Sequence, residues 1–138
     1  MNVVYLETSA LLQWLLGQAG ARDVKRSLDA AEIVLTSTLT RAEANRALLR
    51  AEGQHVLRGG DAQRLRGLLN RAETSWIRMA VTDGVLARAG VAFPVEPVRT
   101  LDAIHLATAL ELATAFPDLH VLSFDRRVQD NAEALGIA

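Results

Sequence analysis

Four short apolar runs, at residues 3–6, 33–35, 76–81 and 119–124, punctuate a chain whose other segments carry their apolar residues at helical spacing. Runs this short, rich in valine, isoleucine and leucine, predict buried strands. A helix opens at Glu7-Thr8-Ser9, with Thr8 or Ser9 as its N-cap, and continues through Leu16 to a stop at Gly17. Residues 22–31 place Val24 and Leu28 one turn apart, and residues 38–53 carry Leu39, Ala42, Arg46 and Leu49 on successive turns. The pattern weakens over 54–60 and resumes over 61–74 with Leu65, Leu68 and Leu69, which predicts a long helical hairpin between the second and third strands. A short helix at 83–89 closes at Gly90, and Pro94 and Pro97 hold residues 91–99 extended. The helix that starts at Thr100 is apolar around most of its circumference and stops at Phe116-Pro117. Asp125 follows the last strand directly, and a final helix runs over 126–135 to Gly136.

Strands separated by helices predict an α/β fold, because parallel neighbours need a crossover connection. The expectation is a parallel sheet of four to five strands with helices on both faces, in one domain spanning residues 1–138. Composition narrows the chemistry. The chain has no cysteine, which excludes disulfides, zinc-thiolate sites and thiol catalysis and agrees with a reducing compartment. Its start has no basic leader, Glu7 interrupts the first apolar run, and no apolar stretch is long enough to span a bilayer, so a cytoplasmic protein with no membrane association is expected. A formal net charge of −1 argues against nucleic-acid binding by bulk electrostatics alone, while leaving room for a local site. Lys25 is the single lysine, so the positive charge is almost all arginine, whose planar fork suits phosphate or carboxylate.

Four acids stand out by position: Glu7 after the first strand, Glu43 near the start of the third helix, Asp102 on the first turn of the central helix, and Asp125 after the fourth strand. Each also has a purely structural explanation. Thr40-Arg41-Ala42-Glu43 matches a capping box, Asp102 suits a helix N-terminus, Asp125 is a natural N-cap, and Glu7 is a solvated strand end. Jointly they say more, because strand exits and helix N-termini share one edge of a doubly covered parallel sheet, where ligands bind in open folds of this kind. Carboxylates gathered there repel one another and either take up protons or bind a hard divalent cation. With oxygen donors only, Mg²⁺ or Mn²⁺ is the fitting ion, and such ions serve phosphate chemistry by activating water and stabilising a leaving oxygen.

The opening ETSALL after a strand, the acid in TRAEANRALL, the phrase LDAIHLATAL and the closing LSFDRRVQDNAEALG resemble the PIN-domain ribonucleases, specifically VapC toxins of type II toxin-antitoxin pairs. The resemblance spans almost the whole chain. It implies a homodimer, a Mg²⁺- or Mn²⁺-dependent endoribonuclease acting on RNA, and neutralisation by a cognate VapB-type antitoxin. It carries the acidic site onto Glu7, Glu43, Asp102 and Asp125, with Thr8 or Ser9 as a supporting hydroxyl. Glu7 departs from the family's usual aspartate, and Mg²⁺ tolerates little change in ligand geometry. The alternative is therefore a catalytically weakened PIN-fold interaction module.

Arg41, Arg46, Arg126 and Arg127 flank the acids as candidate contacts to RNA or a partner, or as ion pairs with nearby carboxylates. Asp130 reads as a surface charge, His105 as a core or helix-surface histidine, His55 and His120 carry no signal, and Trp14 and Trp76 read as core. A receiver-type phosphoacceptor is disfavoured because neither Glu7 nor the lone Lys25 suits its chemistry, and a P-loop enzyme is excluded for want of a glycine-rich GK[ST] motif.

Overall fold

The computed structural model describes residues 1–138. In chain order the elements are β1 (Val3–Leu6), α1 (Thr8–Leu15), α2 (Ala21–Ala30), β2 (Ile33–Ser37), α3 (Thr38–Gly53), α4 (Asp61–Glu73), β3 (Ile77–Met79), α5 (Asp83–Ala89), α6 (Thr100–Ala115), β4 (Leu119–Leu122) and α7 (Arg126–Ala134). The four strands form one sheet in the order β3-β2-β1-β4, every pair parallel. Val3 is in register with both Ile33 and Leu119, which makes β1 an inner strand.

Alternation along the strands sorts side chains onto two faces. Leu6 and Val34 pack with Leu11, Leu15, Val24, Ala44 and Leu69, so α1 to α4 cover one side. Val3, Tyr5 and Leu35 pack with Ala109, Leu119 and Ala132 under α6 and α7 on the other. Helix α5 joins that layer by packing Val85 against Ile104 and Ala107. Every residue of α6 from Asp102 to Ala109 is buried, the result expected for a helix with apolar residues all round. The predicted hairpin is α3 and α4, and the turn between them uses positive φ at His55 (59°) and Gly60 (83°).

Several boundaries differ from the sequence reading, each for a physical reason. Strand β2 runs two residues further, to Ser37, because Thr36 and Ser37 pair with Arg78 and Met79 of β3. Strand β3 is shorter than 76–81; it is a sheet edge with Ile77 half exposed. Strand β4 ends at Leu122 because the Ser123 hydroxyl turns to Glu7, to which it donates at 2.8 Å. The cap of α1 is neither Thr8 nor Ser9: the Glu7 carboxylate accepts from the Ser9 amide at 3.0 Å. Trp14 and Trp76 are only partly buried, flanking a groove of about 340 Å³ where α2 and α4 meet the sheet. No helix is long and apolar enough to cross a membrane.

Candidate active site

The chain builds β1, β2 and β3 outward in one direction, then returns to place β4 on the other side of β1. Strand order therefore reverses between β1 and β4, and the crevice beyond their carboxyl ends is the natural ligand site. Glu7 leaves β1 there and Asp125 caps the helix after β4. A cleft of about 360 Å³ opens at this point, lined by Glu7, Glu43, Asp102 and Asp125 together with Thr8, Ser9, Arg46, Arg50 and Arg99. A larger cavity of about 650 Å³ lies against Trp14 and α2, away from these acids, and gathers no comparable chemistry.

Each acid is held by a different device. Glu7 is buried at 4% exposure, and three donors converge on its Oε2: the Ser9 amide, the Ser9 hydroxyl and the Ser123 hydroxyl. It is a clamped group rather than a solvated strand end. Glu43 makes no capping box, because β2 extends far enough for the Ser37 hydroxyl to cap α3 by accepting from the Leu39 amide at 3.0 Å. Its Oε1 instead accepts from the Thr8 hydroxyl at 2.6 Å and pairs with His105 Nε2 at 2.5 Å.

His105 itself is 1% exposed, and its Nδ1 lies 2.8 Å from the Tyr5 hydroxyl. Because a carboxylate only accepts, Nε2 carries the proton toward Glu43 and Nδ1 accepts from Tyr5. Burial raises the Glu43 carboxyl, but the hydrogen bonds from His105 and Thr8 and the attraction of the His105 N–H dipole outweigh it and hold Glu43 below its ordinary value. Burial, then the charge of Glu7, pushes Tyr5 well above its ordinary value, so the phenol stays protonated as the donor.

Asp102 and Asp125 share Arg99. Its Nε lies 3.4 Å from Asp102 Oδ2 and its Nη2 lies 3.5 Å from Asp125 Oδ2. Asp125 Oδ1 caps α7 by accepting from the amides of Arg127 (2.9 Å) and Val128 (3.2 Å), so its structural explanation holds as well. Burial, then the negative charge of Asp125, raises Asp102 above its ordinary value, and Arg99 only partly offsets this. The part of that shift due to Asp125 is repulsion that a positive charge relieves, as Arg99 does in part here. The donors are all oxygens, which fits a hard divalent ion. No three acidic or histidine groups are gathered around one point for direct ligation. Mg²⁺ commonly takes only one or two carboxylates and keeps its water.

Of the four arginines singled out by sequence, only Arg46 lines the cleft. Arg41 belongs to the α3–α4 hairpin, where it pairs with Glu73 at 3.0 Å and Asn70 at 2.7 Å. Arg126 lies 3.8 Å from Asp130, one turn along α7, which makes that acid a half-exposed surface partner. Arg127 donates to the Pro97 carbonyl at 2.5 Å, and so helps fix the loop that leads to Arg99. Sequence reasoning missed Arg99, Ser123 and the role of His105. The one available signal was His105 itself, an ionisable side chain one turn from Asp102 inside a largely apolar helix.

Fold and site together define a parallel α/β domain with an all-oxygen acidic cleft at its topological switch point. A model of the PIN domain matches residues 4–134. Ribonuclease VapC46 of Mycobacterium tuberculosis is 35% identical over 138 residues, covering 100% of this chain and 96% of that protein. Ribonuclease VapC35 of the same organism is 33% identical over 138 residues, covering 99% and 94%. The crystal structure of M. tuberculosis VapC20, a sarcin-ricin loop cleaving toxin, aligns with a TM-score of 0.69 over 98% of this chain and 96% of that one. Its identity is 19%, so that likeness is one of fold. The chain belongs to the PIN-domain family, and the relatives it matches end to end are VapC ribonucleases.

Proposed function

We propose that this protein is a Mg²⁺- or Mn²⁺-dependent endoribonuclease, the toxin of a VapBC-type pair. The observation that carries the reading is the lining of one switch-point cleft by Glu7, Glu43, Asp102 and Asp125, in a chain that matches VapC ribonucleases over its full length. Asp102 and Asp125 are the groups that would hold the ion directly, with Glu7 and Glu43 engaging its water. When bound, the metal supplies the cationic centre that activates water and offsets charge on the phosphodiester.

The chain's own residues prepare that chemistry. Thr8 and His105 keep Glu43 ionised and fix its direction, and Ser9 and Ser123 do the same for the Glu7 carboxylate. Arg99 balances the charge of Asp102 and Asp125, a charge that a bound cation would also offset. Arg46, exposed at the rim, is the arginine best placed to meet phosphate. Replacing it by alanine is expected to raise KM about tenfold with kcat nearly unchanged, the loss of one charge-assisted contact. A fall in kcat at constant KM would assign Arg46 to the chemical step instead.

Calorimetric titration with Mn²⁺, run beside an RNA-cleavage assay, tests the proposal. Wild-type protein is expected to bind Mn²⁺ and cleave RNA, and Asp125→Asn to weaken both. A second reading draws on Glu7: with three donors on one oxygen, it is less available to an ion than a free carboxylate, which fits a weakened interaction module. Failure to bind millimolar Mn²⁺ would favour that reading. Under either reading the expected protein partners are a VapB-type antitoxin and a second copy of this chain.

A further inference from the structure

Beside the acidic cleft, a second concavity of about 380 Å³ continues between α1 and α3 and shares Ser9, Leu12, Ala47 and Arg50 with it. Its wall includes Phe124, the residue before Asp125, which is 42% exposed although it is a large apolar ring. The ring is deliberately seated. The Phe124 amide donates to the Ser9 hydroxyl at 2.8 Å, and the ring tip lies over Gly20, where an added Cβ would fall 2.3 Å from Cε2. Gly20 has φ −85°, open to any residue, so the missing side chain makes room for the ring rather than easing the backbone. Gln13, another wall residue, accepts from the Gly20 amide at 3.0 Å and fixes that floor.

The charge pattern says what kind of ligand lies there. Arg46 and Arg50 stand one turn apart on α3, exposed and outside any ion pair, whereas Arg41 of the same helix and Arg99 across the cleft are both paired. Free guanidinium groups beside an exposed aromatic ring match a single-stranded polynucleotide, whose phosphates meet the cations while a base stacks on the ring. We infer that this groove is a nucleotide subsite flanking the scissile phosphate, with the base against Phe124 and the phosphate at Arg50. The inference rests on the ribonuclease reading and extends it to a stretch of surface that carries none of the four acids.

The test uses the full chain carrying Asp102→Asn, to prevent turnover, and single-stranded oligoribonucleotides with 2-aminopurine at successive positions. Anisotropy reports affinity and 2-aminopurine quenching reports stacking. One position is expected to be quenched on binding. Phe124→Ala should abolish that quenching and weaken binding about tenfold, and Gly20→Ala should do the same by displacing the ring, while Phe124→Trp retains both signals. Arg50→Ala should lower affinity and flatten its salt dependence. If wild-type protein cleaves RNA but Phe124→Ala and Gly20→Ala match the parent in affinity and quenching, the subsite is overturned and the ribonuclease reading stands. Loss of binding to a protein partner with RNA binding unaltered overturns the subsite too. Wild-type protein that neither binds nor cleaves RNA overturns both.

Discussion

Asp102→Asn is expected to abolish RNA cleavage, by roughly a thousandfold or more, and at the same time to raise the melting temperature by a few degrees near neutral pH. The two effects have one cause. Asp102 is 8% exposed, faces Asp125, and is held above its ordinary value first by burial and then by that neighbouring charge. A group with a raised value in the folded state contributes stability that is present below its unfolded value and lost as pH rises through the folded one. At neutral pH the wild-type protein has already lost that contribution, and asparagine never had a charge to bury. The melting-temperature advantage of the variant should therefore shrink as pH falls toward the carboxylate range, which a series of thermal melts would show. A variant less stable than wild type at every pH would mean that the Arg99 contact outweighs the repulsion. A variant that still cleaved RNA in a clean preparation would remove Asp102 from the chemistry.

His105→Leu is expected to cost about 2 to 4 kcal/mol, since it leaves the fully buried Tyr5 hydroxyl without its acceptor and Glu43 without its nearest donor. For a chain of this size that corresponds to a fall of roughly 10 °C in melting temperature. Adding Tyr5→Phe should recover part of the loss, because removing both partners leaves no orphaned hydroxyl. Failure of the double variant to recover anything would show that lost packing, not the unpaired phenol, carries the cost. Cleavage by His105→Leu should also drop about tenfold to a hundredfold, the usual effect of releasing a carboxylate from the group that orients it.

The legible parts of this molecule were those with local causes. Asp102 and Asp125 were visible because each sits within one turn of a helix start that the apolar pattern marks. The α3–α4 hairpin followed from residues spaced one turn apart on either side of a weak stretch at 54–60. The acidic character of the cleft was legible too, because strand exits and helix starts share one sheet edge whatever the detailed packing.

What stayed hidden depends on partners far away in the chain. The capping box at Thr40 fits the local sequence, but pairing of Thr36 and Ser37 with β3 moves the cap to Ser37 and frees Glu43 to reach Thr8 and His105. His105 meets Tyr5, 100 residues earlier, and no window around it contains that contact. Arg99 reaches its two acids from a loop pinned elsewhere. Glu96 accepts from the amides of Phe93 and Val98, and Asn131 pairs with both backbone groups of Val95.

The clamp on Glu7 is fitted to the length of a glutamate side chain. Shortening residue 7 to aspartate withdraws the carboxylate by about 1.5 Å, one carbon–carbon bond. That is enough to give up the Ser123 hydroxyl now at 2.8 Å and leave its oxygen seeking another acceptor. Residue 7 and the hydroxyls of Ser9 and Ser123 are therefore matched in length, and a shorter acid would hand the Ser123 hydroxyl over to Ser9 Oγ, 3.2 Å away.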